Sequence, residues 1–390
     1  MKNNTKLLLK DSFLCLIVSS IIIAALSVVI TQLSIFDPFS HAFKDFSFLD
    51  IYYSEDMGSD QKTNPNIVLV NIQHQDRYEL AGLLSKIQQQ KPKVIGMDVI
   101  FKDRRNPYAD SLLTQQLKKG NIINSFAYLH DSAVSNHPSL VDPNAEVGYS
   151  NINFDRENKV IRNFRGVKET AKATELSFSS QIVRKFDPQL WQEIKPKLKK
   201  DLPIKYYGNY NHYLHYDSDE VLQMDSIPKF KNAIILLGYL GTPTGNTFDI
   251  EDKHYTPLND KVVGKSPPDT YGITIHANIL EMILAKDFVT PTGIGIKILI
   301  GLVLTYLSLV YFIRLNKKKV ARYMFNKKVA QFIFSIFLLY FSLYLLEANI
   351  LFEPAPIIAF VLLSVECIGI YRIIINYLNK KYQWKSYYYV

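Results

Sequence analysis

Cysteine is almost absent: two in 390 residues, Cys15 and Cys367. Both fall in long apolar runs, so the mixed middle of the chain has no disulfide and must be held by its core alone. About 250 residues are enough for that. Catalytic signatures are missing as well. There is no HExxH, no nucleophile elbow and no Ser/His/Asp pattern in recognisable context, so an enzyme is not expected and no catalytic residue is assigned. No cofactor motif stands out. Charge of one sign is also short, with 36 acidic residues against 45 Lys and Arg and a net charge of +9. In a soluble protein that excess would suggest nucleic acid. Here much of it flanks apolar segments, where it reports membrane orientation, and no nucleic-acid partner is expected.

The apolar residues are unevenly spread although the mean hydropathy is near zero. Four stretches are long enough to cross a hydrocarbon core of about 30 Å: residues 13–33, 294–313, 329–346 and 355–377. Lys2, Lys6 and Lys10 precede the first. Arg314, Lys317, Lys318, Lys319, Arg322, Lys327 and Lys328 lie in or beside the loop 314–328. Lys380, Lys381 and Lys385 follow the last span, in the tail 378–390. The short loop 347–354 instead carries Glu347 and Glu353. Positive charge prefers the cytoplasm, which puts residues 1–12, the basic loop and the tail inside and residues 34–292 outside. No small-x-small site follows the first span, so it is expected to stay as an uncleaved anchor. Glu366, inside the fourth span, is costly in lipid and should face the bundle or a partner.

In the middle segment short apolar runs alternate with helical periodicity. NIVLVNI (66–72), VIGMDVIF (94–101), NIINSFAYL (121–129) and NAIILLG (232–238) read as buried strands. Leu80, Leu83, Leu84 and Ile87 line one face of a helix between the first two, and a second helix covers 108–120. This β-α-β-α-β run predicts an α/β domain with a largely parallel, doubly wound sheet. The segment 147–169 reads as an added β-hairpin turning at 155–158. Residues 271–288 form a helix that leads through Pro291 into the second span.

These segments resemble the CHASE type-2 family, an extracellular sensory domain associated with cyclases and histidine kinases. The match rests on IVLVNIQHQDRYELAGLL, KPKVIGMDVIF with Asp110 following, FKNAIILLGYLGTPTGNTFDIEDKHYTPL and YGITIHANILEMIL. The layout of one span, a domain and three spans matches too. The resemblance implies a multi-pass protein of a bacterial inner membrane, with both termini cytoplasmic and the domain extracytoplasmic, periplasmic in a Gram-negative host. It also implies a sensor or receptor subunit. Two features depart from the family pattern: Asn71-Ile72-Gln73 where acids are usual, and Asn158-Lys159 where Asp-Gly is common. No effector domain fits the residues after the last span, so the signal would pass to a separate cytoplasmic or membrane partner. The alternative is a structural or docking subunit of an envelope complex.

Candidate ligand residues are few. Asp98 ends the second strand and, with Asp76, Asp249, Asp252 and His254, could line a polar or cation-binding crevice. The spacing fits no known metal motif, so no metal is assigned. Carboxylates also cap helices, which is the plainer reading of this group. Gly238 and Gly241 open a loop that is similar to a phosphate-cradling turn. No helix follows it, which leaves a ligand crevice or a simple turn. His276 and Asn278 either contact ligand or satisfy a neighbouring backbone. Expected partners are membrane lipid, a small ligand or envelope protein outside, and the separate signalling protein, with a homo-oligomer left open. The basic loop and the Tyr-rich tail are the surfaces expected to meet that protein.

Overall fold

The computed structural model describes residues 2–32, 50, 52–53, 64–129, 132–152, 160–170, 173–259, 267–317 and 322–389. The turn expected at 155–158 and the Asn158-Lys159 departure lie outside these. The chain divides into two compact units, one of residues 1–43 with 290–390 and one of 44–289.

The first unit opens with helix α1 (Lys2–Gln32). The second unit then alternates strands and helices: β1 (Ile67–Asn71), α2 (Arg77–Gln89), β2 (Val94–Met97), α3 (Pro107–Leu117), β3 (Ile122–Leu129), β4 (Ser132–Val134) and β5 (Val147–Tyr149). After it come β6 (Asn163–Arg165), β7 (Val167–Glu169), β8 (Thr174–Leu176), α4 (Phe178–Phe186), α5 (Pro188–Ile194) and β9 (Asp201–Pro203). The last part of the unit is β10 (Leu214–Asp217), α6 (Ser218–Gln223), β11 (Ile234–Gly238), β12 (Lys253–His254), β13 (Thr270–Tyr271) and α7 (Gly272–Leu284).

Seven strands form the main sheet, in the order β10-β1-β11-β2-β3-β4 with β5 also on β3. Every pairing in it is parallel except β3 with β4. Because side chains alternate across a strand, each face needs its own cover. Val68, Val70, Ile95, Met97, Ile235 and Leu237 pack with Leu80, Leu83, Leu84 and Ile87 of α2, Leu113 and Leu117 of α3 and Val221 of α6. Gly96 and Gly238 look the other way. A Cβ on Gly96 would come within 2.8 Å of Phe178 and Ile182 of α4, and one on Gly238 within 2.8 Å of Ile273 of α7. Helices therefore lie on both faces, the doubly wound arrangement that the alternating pattern predicts.

The hairpin differs from expectation. β5 joins the sheet beside β3, and β6 pairs antiparallel with β9 rather than with β5. The two-stranded hairpin is β7 with β8, some residues further on. Period-two alternation tells which side of a strand is buried, but not which neighbour it finds.

Ion pairs tie the loops down. Arg77 donates to Asp110 (Nη1–Oδ1 2.5 Å) and to the Asp103 carbonyl, while the Arg105 N–H donates to Asp110. Both side chains are buried. Burial opposes ionisation of Asp110, but the bonds from Arg77 and Arg105 hold its carboxyl below the usual carboxylate range. Arg162 likewise grips Asp50 with two bonds, and Lys205 reaches Asp287 at 2.6 Å.

In the first unit α1 is joined by β14 (Thr290–Pro291), α8 (Ile294–Lys317), α9 (Tyr323–Glu347), β15 (Ile350–Leu351), α10 (Ala355–Glu366) and α11 (Ile368–Tyr382). Among the described residues four helical stretches are long and apolar enough to cross a membrane: Asn3–Val28, Ile294–Lys317, Tyr323–Glu347 and Ala355–Tyr382. The chain is a multi-pass membrane protein. α8 packs against α10, and a Cβ added at Gly301 would find Ile357 at 3.7 Å, an ordinary contact distance. Glu366 does meet another helix: Lys327 and Lys328 of α9 each reach it at 2.7 Å.

The tail is not free. Asp11 of α1, fully buried, accepts from the Ser386 hydroxyl (2.6 Å) and the Tyr387 N–H (2.7 Å). Lys317 caps the Tyr387 carbonyl. Part of the tail and of the basic segment is engaged within this unit, Ser386 being buried and Lys317 and Lys327 bonded, while Arg314, Arg322, Lys328, Trp384 and Lys385 stay exposed. A buried carboxylate in α1 needs donors, and the tail supplies them.

Replacing Asp110 by Ala should destabilise the protein by about 3–5 kcal/mol, because Arg77 is left buried and unpaired. The carboxylate's folded value is depressed, so its contribution is present above the unfolded value near 4 and is lost as pH falls through the folded one. Thermal unfolding should show a constant gap to Asp110→Ala from pH 7 to 5, narrowing below about 4. A gap unchanged at pH 3 contradicts this.

Candidate ligand crevice

In a parallel sheet all carboxyl ends lie on one edge, and the residue after each strand opens onto it. Ile72 follows β1, Asp98 follows β2, Ser150 follows β5 and Tyr239 follows β11. These four line a crevice of about 850 Å³ together with Val99, Asn151, Ile152, Ile161, Glu251, Asp252, His254, Gly272 and His276. The volume suits a small organic molecule.

Asn71 organises this edge. It is the last residue of β1 and fully buried. Its amide nitrogen donates to Asp217 at the end of β10 (3.0 Å), the Gly241 carbonyl (2.8 Å) and the Thr244 hydroxyl (2.7 Å). Its oxygen accepts from the N–H groups of Leu240 and Gln73, both at 3.0 Å. The loop after β11 is thereby fastened, and Tyr239 with it. Tyr239 in turn donates to Asp249. An aspartate at position 71 would have no protons for those three acceptors and would face Asp217.

Asp98 is half-buried. Burial, and after it the neighbouring Asp252 carboxylate, push its carboxyl up to about 7. Asp252 has a left-handed backbone (φ +53°). Its carbonyl accepts from the Gly272 N–H at 3.0 Å. Its carboxylate lies 3.1 Å from where a Cβ on Gly272 would stand. Glycine at 272 is what lets this carboxylate lie over the start of α7. His254 Nε2 is 3.6 Å from Asp252. His276, 3 % exposed, has Nδ1 3.1 Å from the Ser179 hydroxyl and packs edge-on to Phe178. Burial, and then His254, push its ring down to about 3, against a bond with the Ser150 backbone. It is neutral at ordinary pH.

The residues singled out from the sequence divide. Asp98, His254 and His276 come together in the crevice, and Asp252 joins them. Asp76 does not: it caps α2, accepting from the Tyr78 and Glu79 N–H groups while Glu79 accepts from its own. Asn278 is buried and holds the backbone of Tyr207 and Gly208. Gly238 permits close packing on α7, and Gly241 (φ +95°) makes a turn that a side chain would block against Tyr271. Neither glycine lines the crevice. Ser150, Tyr239 and Glu251 were not foreseen, because their place depends on β5 choosing β3 and on the loop that Asn71 holds. Among the described residues no three His, Cys, Asp or Glu side chains converge as metal ligands would.

Compared with protein-family models, residues 18–312 match the CHASE2 domain. No curated protein and no solved structure gives a match.

A carboxylate whose folded value lies above its unfolded one favours the protonated fold. Stability is then greatest below the unfolded value near 4 and is lost as pH rises to the folded value of about 7. Asp98→Asn removes that loss. Its unfolding temperature should exceed that of the natural protein at pH 8, with the difference shrinking toward pH 5. A variant less stable at every pH would show that Asp98 is a structural support instead.

Proposed function

Since the chain belongs to the CHASE2 domain family, a family of sensory domains, we propose that it is a membrane-bound sensor subunit. In this reading the α/β unit lies outside the cytoplasm, both termini lie inside, and the crevice takes a small ligand. Ligand shifts the unit between two states only by its differential affinity for them, and the change is passed to a separate signalling protein at the cytoplasmic side. The basic flanks of the helices support that orientation.

One observation carries the proposal. The crevice collects polar side chains at the carboxyl ends of parallel strands, and one of them, Asp98, is held in an environment that disfavours its charge. Groups kept at a cost to the fold belong to sites more often than to scaffolding. A docking subunit would need an exposed apolar face instead. The stacked Tyr78 and Tyr108, both exposed, with Leu222 near Tyr78, and the exposed Phe248 and Ile250 are what favour that alternative.

Crosslinking in cells, followed by capture of the tagged full chain in mild detergent and mass spectrometry, separates the two. Sensing predicts a cytoplasmic kinase, cyclase or regulator, recovered several-fold less with Arg314→Gln/Arg322→Gln. Those two arginines are exposed, and the change spares the Lys327 and Lys328 pairs with Glu366. Stoichiometric recovery of envelope proteins alone, held through residues 44–289, supports docking.

A further inference from the structure

Resting on the reading that this crevice is the sensing site, we infer that its ligand is an organic cation. An ammonium group is held by the Asp98 and Asp252 carboxylates, and its carbon skeleton lies against Ile72, Val99 and Ile161.

The first ground is a contrast within the unit. Asp110 has Arg77, Asp50 has Arg162 and Asp287 has Lys205, each at 2.6 Å or closer. Among the described residues Asp98 has no cationic partner, and none of those that line the crevice is Lys or Arg. The Ser125 hydroxyl, 1 % exposed, is turned to the Asp98 carboxylate and finds no other acceptor or donor. A charge so arranged lacks only its counter-ion. The second ground is size: the space takes a molecule far larger than a bare ion, and among the described residues no three His, Cys, Asp or Glu side chains converge. The third is the left-handed Asp252, whose strained backbone aims a second carboxylate over Gly272.

A proton is the competitor. The titratable groups facing Asp98 are Glu251, Asp252 and His254 from the β12 segment, His276 from α7 and Tyr239 after β11. Glu251 also has His74 at 3.7 Å. Lys253 is turned away, donating to the Asn246 carbonyl. With Asp98 titrating at about 7, raising the pH empties the place that the ammonium takes.

The test is thermal unfolding of the full chain in mild detergent at pH 6 and 8. The probes are phenethylamine and putrescine, with phenylpropionate and calcium chloride as the anionic and metal controls. An amine should raise the unfolding temperature by about 2–4 °C at roughly five times its Kd. The rise should be larger at pH 8, and apparent affinity should fall at least about tenfold in Asp98→Asn and in Asp252→Asn. A response to phenylpropionate alone, to calcium alone, or to an amine equally in Asp98→Asn overturns the inference. Ser150→Trp, which fills the crevice, separates this failure from that of the sensor reading. If no amine binds but Ser150→Trp changes the crosslinked partners, only the cation is wrong. If it changes nothing, both are wrong.

Discussion

The crevice depends on one amide. A parallel sheet ends, at its carboxyl edge, in strand backbones and loops whose polar groups need partners once they are buried. Asn71 meets several of these needs at once, through two protons and one oxygen placed between β10, β1 and the loop after β11. An apolar residue there would leave the Gly241 carbonyl and the Leu240 N–H unanswered, and a charged one would face Asp217. Because the loop is held back by Asn71, Tyr239 and the segment from Asp249 to His254 stand around a space instead of filling it.

The treatment of charge differs between places where structure is wanted and the place proposed for ligand. Arg77 with Asp110, Arg162 with Asp50 and, in the helical unit, Lys327 with Glu366 join elements that would otherwise be linked only by apolar contact. The buried acids Asp110 and Asp50 are matched, as desolvation requires, and the more exposed Glu366 is paired as well. Asp11 is matched differently, by the hydroxyl and N–H of the returning tail. Asp98 stands apart. Its environment raises the cost of its charge and, among the described residues, supplies a serine hydroxyl in return, which is the pattern of a group awaiting something from outside.

Much of this was legible in the residues themselves. The apolar runs at 66–72, 94–101, 121–129 and 232–238 all became sheet strands, slightly shorter than read, since strand pairing stops where the loops begin. Asp76, offered as a ligand residue, forms a capping box with Glu79 at the start of α2 instead. Asp98 and His276 were visible as polar residues at a strand end and on a helix beside it. What could not be read was pairing between distant segments: β5 beside β3 is what brings Ser150 to the crevice, and β6 beside β9 dissolved the expected hairpin. Asn71 was visible only as a departure from the family pattern. Its five bonds depend on Asp217, Leu240 and Thr244 arriving from far along the chain.

Hydrogen–deuterium exchange on the full chain and on Asn71→Ala tests the central claim, that one amide holds this crevice ready. Faster exchange confined to residues 239–254, with β1, β2 and β11 still protected, is the result predicted. Unchanged protection of that loop, or a loss spread evenly over the sheet, would contradict it.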